Sequence, residues 1–160
     1  MKEIRVGLLG FGTIGTGVVK LFQQNSDLLA ERLGGRIVLT RIADLDITTD
    51  RGVALPDGVL TTDAAQIVDN PQIDIVIELI GGYEPARTFV LQAIKNGKHV
   101  VTANKALLAV HGEEIFAAAE KAGVEVMFEA AVGGGIPIIS SIKENLCANN
   151  FLSIFGILNG

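Results

Sequence analysis

Four places in this 160-residue chain carry residue types whose spacing suits chemistry. The first is Gly10-x-Gly12-x-x-Gly15, entered from an apolar run over Ile4 to Leu9 and followed by a helix-like segment from Thr16 to Gln24. Gly10 permits a tight turn out of a strand, Gly12 lets an anion approach the backbone, and Gly15 lets the helix pack close to the sheet. A pyrophosphate would sit on the free N–H groups at the helix N-terminus. The second is Asp44, an acid at the end of the next apolar strand, where a carboxylate accepts hydrogen bonds from an adenosine ribose and repels a 2′-phosphate. It lies further on than the usual ~20 residues, and the extension from Asn25 to Gly35 accounts for the difference. A solvated turn acid is the plainer alternative, since Asp46 and Asp50 follow closely.

The third is Lys105, just past the strand end His99 to Thr102. A lysine there can bind a cofactor or hold a carbonyl oxygen during hydride transfer, and it can equally be a surface lysine. The fourth is the Gly-rich link Glu129-Ala130-Ala131-Val132-Gly133-Gly134-Gly135-Ile136-Pro137. Its exposed carbonyls and one carboxylate form an oxygen set that hard cations favour, although an interdomain hinge explains the glycines as well. The two histidines, His99 and His111, read as structural or solvated.

These residues need a frame that brings strand ends together. Near-continuous apolar strands are expected at Lys2 to Leu9, Arg36 to Ala43, Ile73 to Ile80, His99 to Thr102 and Val124 to Phe128. Helices are expected between them: Thr16 to Gln24, a turn or two around Leu28 to Leu33, Asp63 to Val68 capped by Thr62, a segment opened by Pro85 and closed by Gly97, and Gly112 to Ala122. Between Pro85 and Gly97, Ala86, Phe89, Val90, Ala93 and Ile94 fall on one stripe. The stretch Thr49 to Thr61 reads as a loop. Strands alternating with helices mean βαβ units and right-handed crossovers, so the fold class is α/β, a Rossmann-type doubly wound parallel sheet. Gly81-Gly82, at a strand's carboxyl end, either lines the cofactor or makes a plain turn.

After Phe128 the rhythm changes. Pro137 to Leu146 reads as a helix and Phe151 to Leu158 as a strand that lacks a neighbour. The division expected is a dinucleotide-binding domain over 1–135 and, over 136–160, the first helix and strand of a second, substrate domain cut short.

Composition narrows the partners. A net charge of −5 argues against nucleic acid and against a membrane surface. The single cysteine, Cys147, excludes an internal disulfide and a cysteine metal cluster. No apolar run reaches the ~18 residues of a spanning helix and no signal-peptide core is visible, so a cytoplasmic protein is expected.

Five stretches together resemble the N-terminal part of homoserine dehydrogenase: Val6 to Gly15, Glu78-Leu79-Ile80-Gly81-Gly82, Val101-Thr102-Ala103-Asn104-Lys105, Glu129 to Pro137, and Gly156-Ile157-Leu158-Asn159-Gly160. That family interconverts L-homoserine and L-aspartate 4-semialdehyde with NAD(P), in threonine and methionine biosynthesis. The resemblance implies that Phe11, Thr13 and Ile14 contact the cofactor beside Gly10, Gly12 and Gly15. It places Thr102, Asn104 and Lys105 on the nicotinamide side, with Lys105 facing both cofactor and substrate. It also implies a monovalent cation, sodium, held by Glu129, Val132, Gly134 and Ile136, and a homodimeric full-length enzyme.

Two departures qualify the likeness. Many members carry an arginine in the turn after the second strand, but here the turn is Ala43-Asp44-Leu45-Asp46 with no arginine before Arg51, which favours NAD over NADP. The family's substrate domain, with its proton-transferring lysine, lies beyond Gly160, so this piece alone is expected to bind cofactor and not to turn over. Three rivals share the glycine turn. A sugar-type oxidoreductase would place Glu before the lysine and Pro after it, unlike Asn104-Lys105-Ala106; a methyltransferase has no use for Lys105. A non-catalytic, redox-sensing dinucleotide-binding module is the alternative from outside the enzymes.

Overall fold

The computed structural model describes residues 2–156. Six parallel strands form one sheet in the order β3-β2-β1-β4-β5-β6: β1 Lys2–Leu9, β2 Gly35–Ala43, β3 Leu60–Thr61, β4 Ile75–Glu78, β5 His99–Thr102 and β6 Val126–Met127. The expected doubly wound parallel sheet is present, and its order reverses between β1 and β4, the switch point at which ligands bind in such sheets.

Register decides what lies at that point. Thr61 pairs with Ala43, Ala43 with Leu9, Leu9 with Glu78, and Glu78 with Thr102. The last residues of five strands therefore form a single row along the carboxyl edge. Whatever follows each of them in sequence, Gly10, Asp44, Leu79 or Ala103, emerges on the same side.

Alternation sends successive residues to opposite faces. Leu9, Ala43, Val76 and Val100 face a core built with helices α3 (Ala65–Val68), α4 (Ala86–Lys95) and α5 (Lys105–Ala122). Val6, Leu8, Ile42 and Ile77 face a second core with Val19 of α1 (Thr13–Gln24) and the ring of Phe11. The expected stripe of α4 is the buried one, with Ala86, Val90, Ala93 and Ile94 inaccessible and Phe89 packed at the margin. Helix α2 (Ser26–Leu33) follows α1 after Asn25 and stops at Gly34 in the left-handed region. Gly97 likewise takes a φ of 74° just past α4.

Several expectations are corrected. Helix α5 starts at Lys105, not Gly112, because the Asn104 side chain accepts from Leu107 N–H at 3.1 Å and caps the helix seven residues earlier. Gly112 is a buried interior residue of the helix. Asp63, not Thr62, opens α3, accepting from Ala65 N–H at 2.9 Å. Leu60 and Thr61 leave the expected loop to pair with β2 as an edge strand. Strand β4 is four residues rather than eight, because Ile73 N–H is held by Asn70 in a turn and the residues past Glu78 bend away. Phe151 to Gly156 form no strand, having no neighbour to pair with; the rest of that expected strand lies outside the described residues. The helix expected from Pro137 is present as α6 (Ile138–Ser140), continued by the wider turn Ser141–Asn145.

Asn104 also donates to Gly82 O at 2.8 Å, so it joins β5, α5 and the loop after β4. Asn104→Ala removes these bonds, and unfolding in urea should show a loss of about 1–3 kcal/mol without a change in slope.

Candidate cofactor site

The glycine turn is built by unequal demands on its three glycines. Gly10 has a φ of 97°, and a Cβ there would lie 2.7 Å from Leu79 O. A Cβ on Gly15 would overlap the carbonyl oxygen of Gly10. A Cβ on Gly12 would meet nothing within 4 Å. The first two glycines thus serve the chain's own packing, while the space before Gly12 is left open. Thr13 and Ile14, at the start of α1, are exposed, and α1 has no side-chain cap. The N–H groups of Thr13, Ile14 and Gly15 have no acceptor among the described residues, which is the chemistry a pyrophosphate needs.

Phe11 contributes differently from the expectation. Its ring is 2% exposed in the core, and its N–H donates to Asp44 Oδ2 at 2.5 Å. Asp44 Oδ1 accepts from Asp46 N–H at 2.8 Å. Asp44 therefore does stand beside the glycine turn, as a brace that joins the ends of β1 and β2.

Across the switch point lies a group that sequence reading passes over. Glu78 is wholly buried, and its carboxylate collects the site's second half. Thr102 Oγ1 donates to Oε2 at 2.6 Å. Ile80 and Gly81 N–H donate to Oε1 at 2.8 and 3.2 Å, with Asn104 Nδ2 at 3.5 Å. Thr102 Oγ1 in turn accepts from Asn104 N–H at 3.0 Å. Thr102 and Asn104, two of the expected nicotinamide-side residues, are thereby drawn together with Gly81. In the sequence, Glu78 shows as an acid in an apolar strand and as the first residue of one of the stretches that carry the resemblance, but neither signal gives it this part.

Lys105 is the first residue of α5, is exposed, and forms no salt bridge among the described residues. A cation at a helix N-terminus is disfavoured by the dipole, so its ammonium gains from any oxygen ligand placed over that end.

His99 is structural: its Nδ1 accepts from Glu125 N–H at 3.0 Å. His111 lies on α5, edge-on to Tyr83, 3.9 Å from Glu114. Lys98, near the opposite edge of the sheet, donates to the carbonyls of Asn70 and Ile73, and burial pushes its ammonium pKa down despite Asp74 and Asp69.

The Gly-rich link leaves the sheet at Glu129. The carboxylate of Glu129 accepts from Ile139 and Ser140 N–H, both at 2.9 Å, and so caps α6. Burial works against its charge, but those N–H groups outweigh burial and hold the carboxyl below the usual range. Among the described residues, the carbonyls of Val132 and Gly134 accept no backbone hydrogen bond, whereas that of Ile136 accepts from Ile138 N–H at 2.8 Å. No group of three or more His, Cys, Asp or Glu side chains suited to a metal occurs among the described residues. None of their helices is long and apolar enough to cross a membrane.

Residues 10–129 match the family model described as homoserine dehydrogenase, NAD binding domain. The chain belongs to that family. It is 44% identical to homoserine dehydrogenase of Bacillus subtilis and 50% identical to that of Pseudomonas aeruginosa, in each case over its whole length and 37% and 36% of theirs. The crystal structure of a homoserine dehydrogenase from Thiobacillus denitrificans superposes with a TM-score of 0.85 at 55% identity, over 93% of this chain and 34% of that one. The chain therefore spans little more than a third of the curated relatives it matches.

Two outcomes follow for the glycines. Gly15→Ala should lose on the order of 3 kcal/mol in urea unfolding, because backbone must move. Gly12→Ala should stay within about 1 kcal/mol of the parent yet weaken NAD binding at least about tenfold by calorimetry. Equal effects of both on stability would refute this division of roles.

Glu129 supplies a pH test. A carboxyl whose pKa is lowered by folding stabilises above its unfolded pKa and stops doing so as pH falls through the folded one. Protection of the Ile139 and Ser140 amides from hydrogen exchange should therefore hold at neutral pH and fall once pH drops below the usual carboxylate range. In Glu129→Gln the acid dependence should vanish.

Proposed function

We propose that this chain holds NAD(P) across its carboxyl edge and supplies the cofactor-binding half of a homoserine dehydrogenase. The supporting observation is the single row Thr61, Ala43, Leu9, Glu78 and Thr102, which sets the glycine turn and the Glu78 network on either side of the switch point. The open face of Gly12 and the uncapped start of α1 fit a pyrophosphate. Thr13, Ile14 and Gly15 would bind it through backbone N–H groups. Asp44 would take the adenosine ribose with its remaining lone pairs. Gly81, Thr102 and Asn104 would line the nicotinamide half.

A bound nicotinamide supplies the hydride acceptor for oxidation of L-homoserine to L-aspartate 4-semialdehyde, or the donor for the reverse reaction of threonine and methionine biosynthesis. Lys105 is the residue of this chain with a catalytic part, holding the polar end of the substrate where oxygen gains or loses charge. Proton transfer belongs to a substrate domain, whose first residues we assign to 136–160, beyond a dinucleotide-binding domain over 1–135. One observation favours that division: residues 136–156 join neither core cluster.

The acids of the turn after β2 favour NAD over NADP. Glu129, Val132, Gly134 and Ile136 would hold a sodium ion, mainly through carbonyls; the oxygens already bonded in this structure each keep a lone pair, and the set suits a hard monovalent cation. The reading includes a cytoplasmic homodimer whose remaining contacts come from the substrate domain.

Calorimetric titration of this chain with NAD tests the cofactor site, and absence of binding would overturn it. In the polypeptide joined to its substrate domain, Lys105→Ala should lower kcat/KM for L-homoserine by about 10²-fold, with NAD binding much less affected. A normal kcat/KM would remove Lys105 from the mechanism.

A further inference from the structure

The turn after β2 presents two acids in sequence, but one of them is already engaged by a cation. From Asp44 to Arg51 the only basic residue is Arg51. The turn folds back so that Arg51 Nη2 donates to Asp46 Oδ2 at 3.0 Å. The other oxygen of Asp46 accepts from Thr48 N–H and Oγ1, each at 3.1 Å, and from Thr49 N–H at 3.0 Å. Hydrogen bonding from Thr49 and Thr48 holds this carboxyl well below the usual carboxylate range, so Asp46 stays charged.

Arg51 is left incompletely satisfied. Its side chain is 24% exposed, and its Nε is buried without a hydrogen-bond partner among the described residues. A guanidinium has five donors in a fork suited to phosphate, and the Nε donor of this fork has no acceptor among the described residues.

The place of this pair follows from a chain of bonds. Phe11 of the glycine turn donates to Asp44, Asp44 accepts from Asp46 N–H, and Asp46 holds Arg51. That chain runs from the end of β1 to the turn after β2 and carries Arg51 to the carboxyl edge, where a Rossmann sheet receives the adenosine ribose and where an arginine accommodates a 2′-phosphate.

We propose that the Asp46–Arg51 ion pair is a latch that selects the cofactor: closed, it withholds the turn's one arginine and the site takes NAD; without the Asp46 carboxylate, Arg51 is released to bind the 2′-phosphate of NADP. This rests on the cofactor reading above. NADP is then disfavoured less by open repulsion than by competition, since a 2′-phosphate must displace a carboxylate already hydrogen-bonded to Arg51 and fixed by three other donors.

The test is calorimetric titration of the chain with NAD and with NADP, for the parent, Asp46→Asn, Arg51→Met and the double variant. Asp46→Asn preserves the oxygen that accepts from Thr48 and Thr49, so the turn is retained. The parent should prefer NAD. Asp46→Asn should raise NADP affinity relative to NAD by about tenfold or more, and adding Arg51→Met should return that ratio to the parent's. The latch is overturned if Asp46→Asn leaves the ratio alone, if its gain survives in the double variant, or if the parent already prefers NADP. Failure of the parent and every variant to bind NAD would remove the cofactor reading itself, and the latch with it.

Discussion

A carboxylate that folding takes out of water must recover its hydration from protein donors, and Glu78 shows how much structure one such demand can order. It is wholly buried, and among the described residues no cation pairs with it. Its oxygens are instead satisfied by the Thr102 hydroxyl, two backbone N–H groups and the Asn104 amide. Leaving one such donor or the acid itself unpaired would cost about 1–3 kcal/mol or more, so the four groups hold one another in place. The loop after β4, the end of β5 and the cap of α5 cannot move independently. Lys105, the next residue after the cap, takes its direction from them.

The other half of the site answers to a steric demand. Gly15 must approach the Gly10 carbonyl, and Gly10 must pass under Leu79, the residue that follows Glu78. Leu79 N–H in turn donates to Leu9 O at 2.8 Å, and Gly10 N–H donates to Ala43 O at 2.8 Å. Steric closeness on the β1 side and polar satisfaction on the β4 side thus meet at one point of the edge. The switch point is the place where two kinds of constraint share residues, so its geometry is set before any ligand arrives.

What the sequence reveals divides along the same line. The strands, the two-faced burial and the glycine turn are local patterns, and periodicity exposes them. Gly97 and Gly34 mark helix ends because only a left-handed residue fits there. Glu78 is hidden because its meaning comes from pairing with Thr102, 24 residues away, and no local rule predicts that register. Asn104 is hidden for a related reason. Its side chain caps α5 and reaches Gly82, but a reader scanning for breakers stops at Gly112 and starts the helix too late. The expected strand from Phe151 fails in the opposite way: its residue types suit a strand, but a strand exists only in a pair.

The turn after β2 shows why counting charges is a poor guide to what a ligand meets. Two acids and a distant arginine suggest a negative site. Folding brings Arg51 onto Asp46 and engages both oxygens of Asp44 with backbone N–H groups. Asp44 braces the glycine turn, and the ribose contact proposed for it would be a second task, so a change there would disturb both. Asp46 and Arg51 lie one step further out, where charge can change while the brace from Asp44 to Phe11 persists. A site arranged in this order can alter which cofactor it prefers without rebuilding the turn that holds either one.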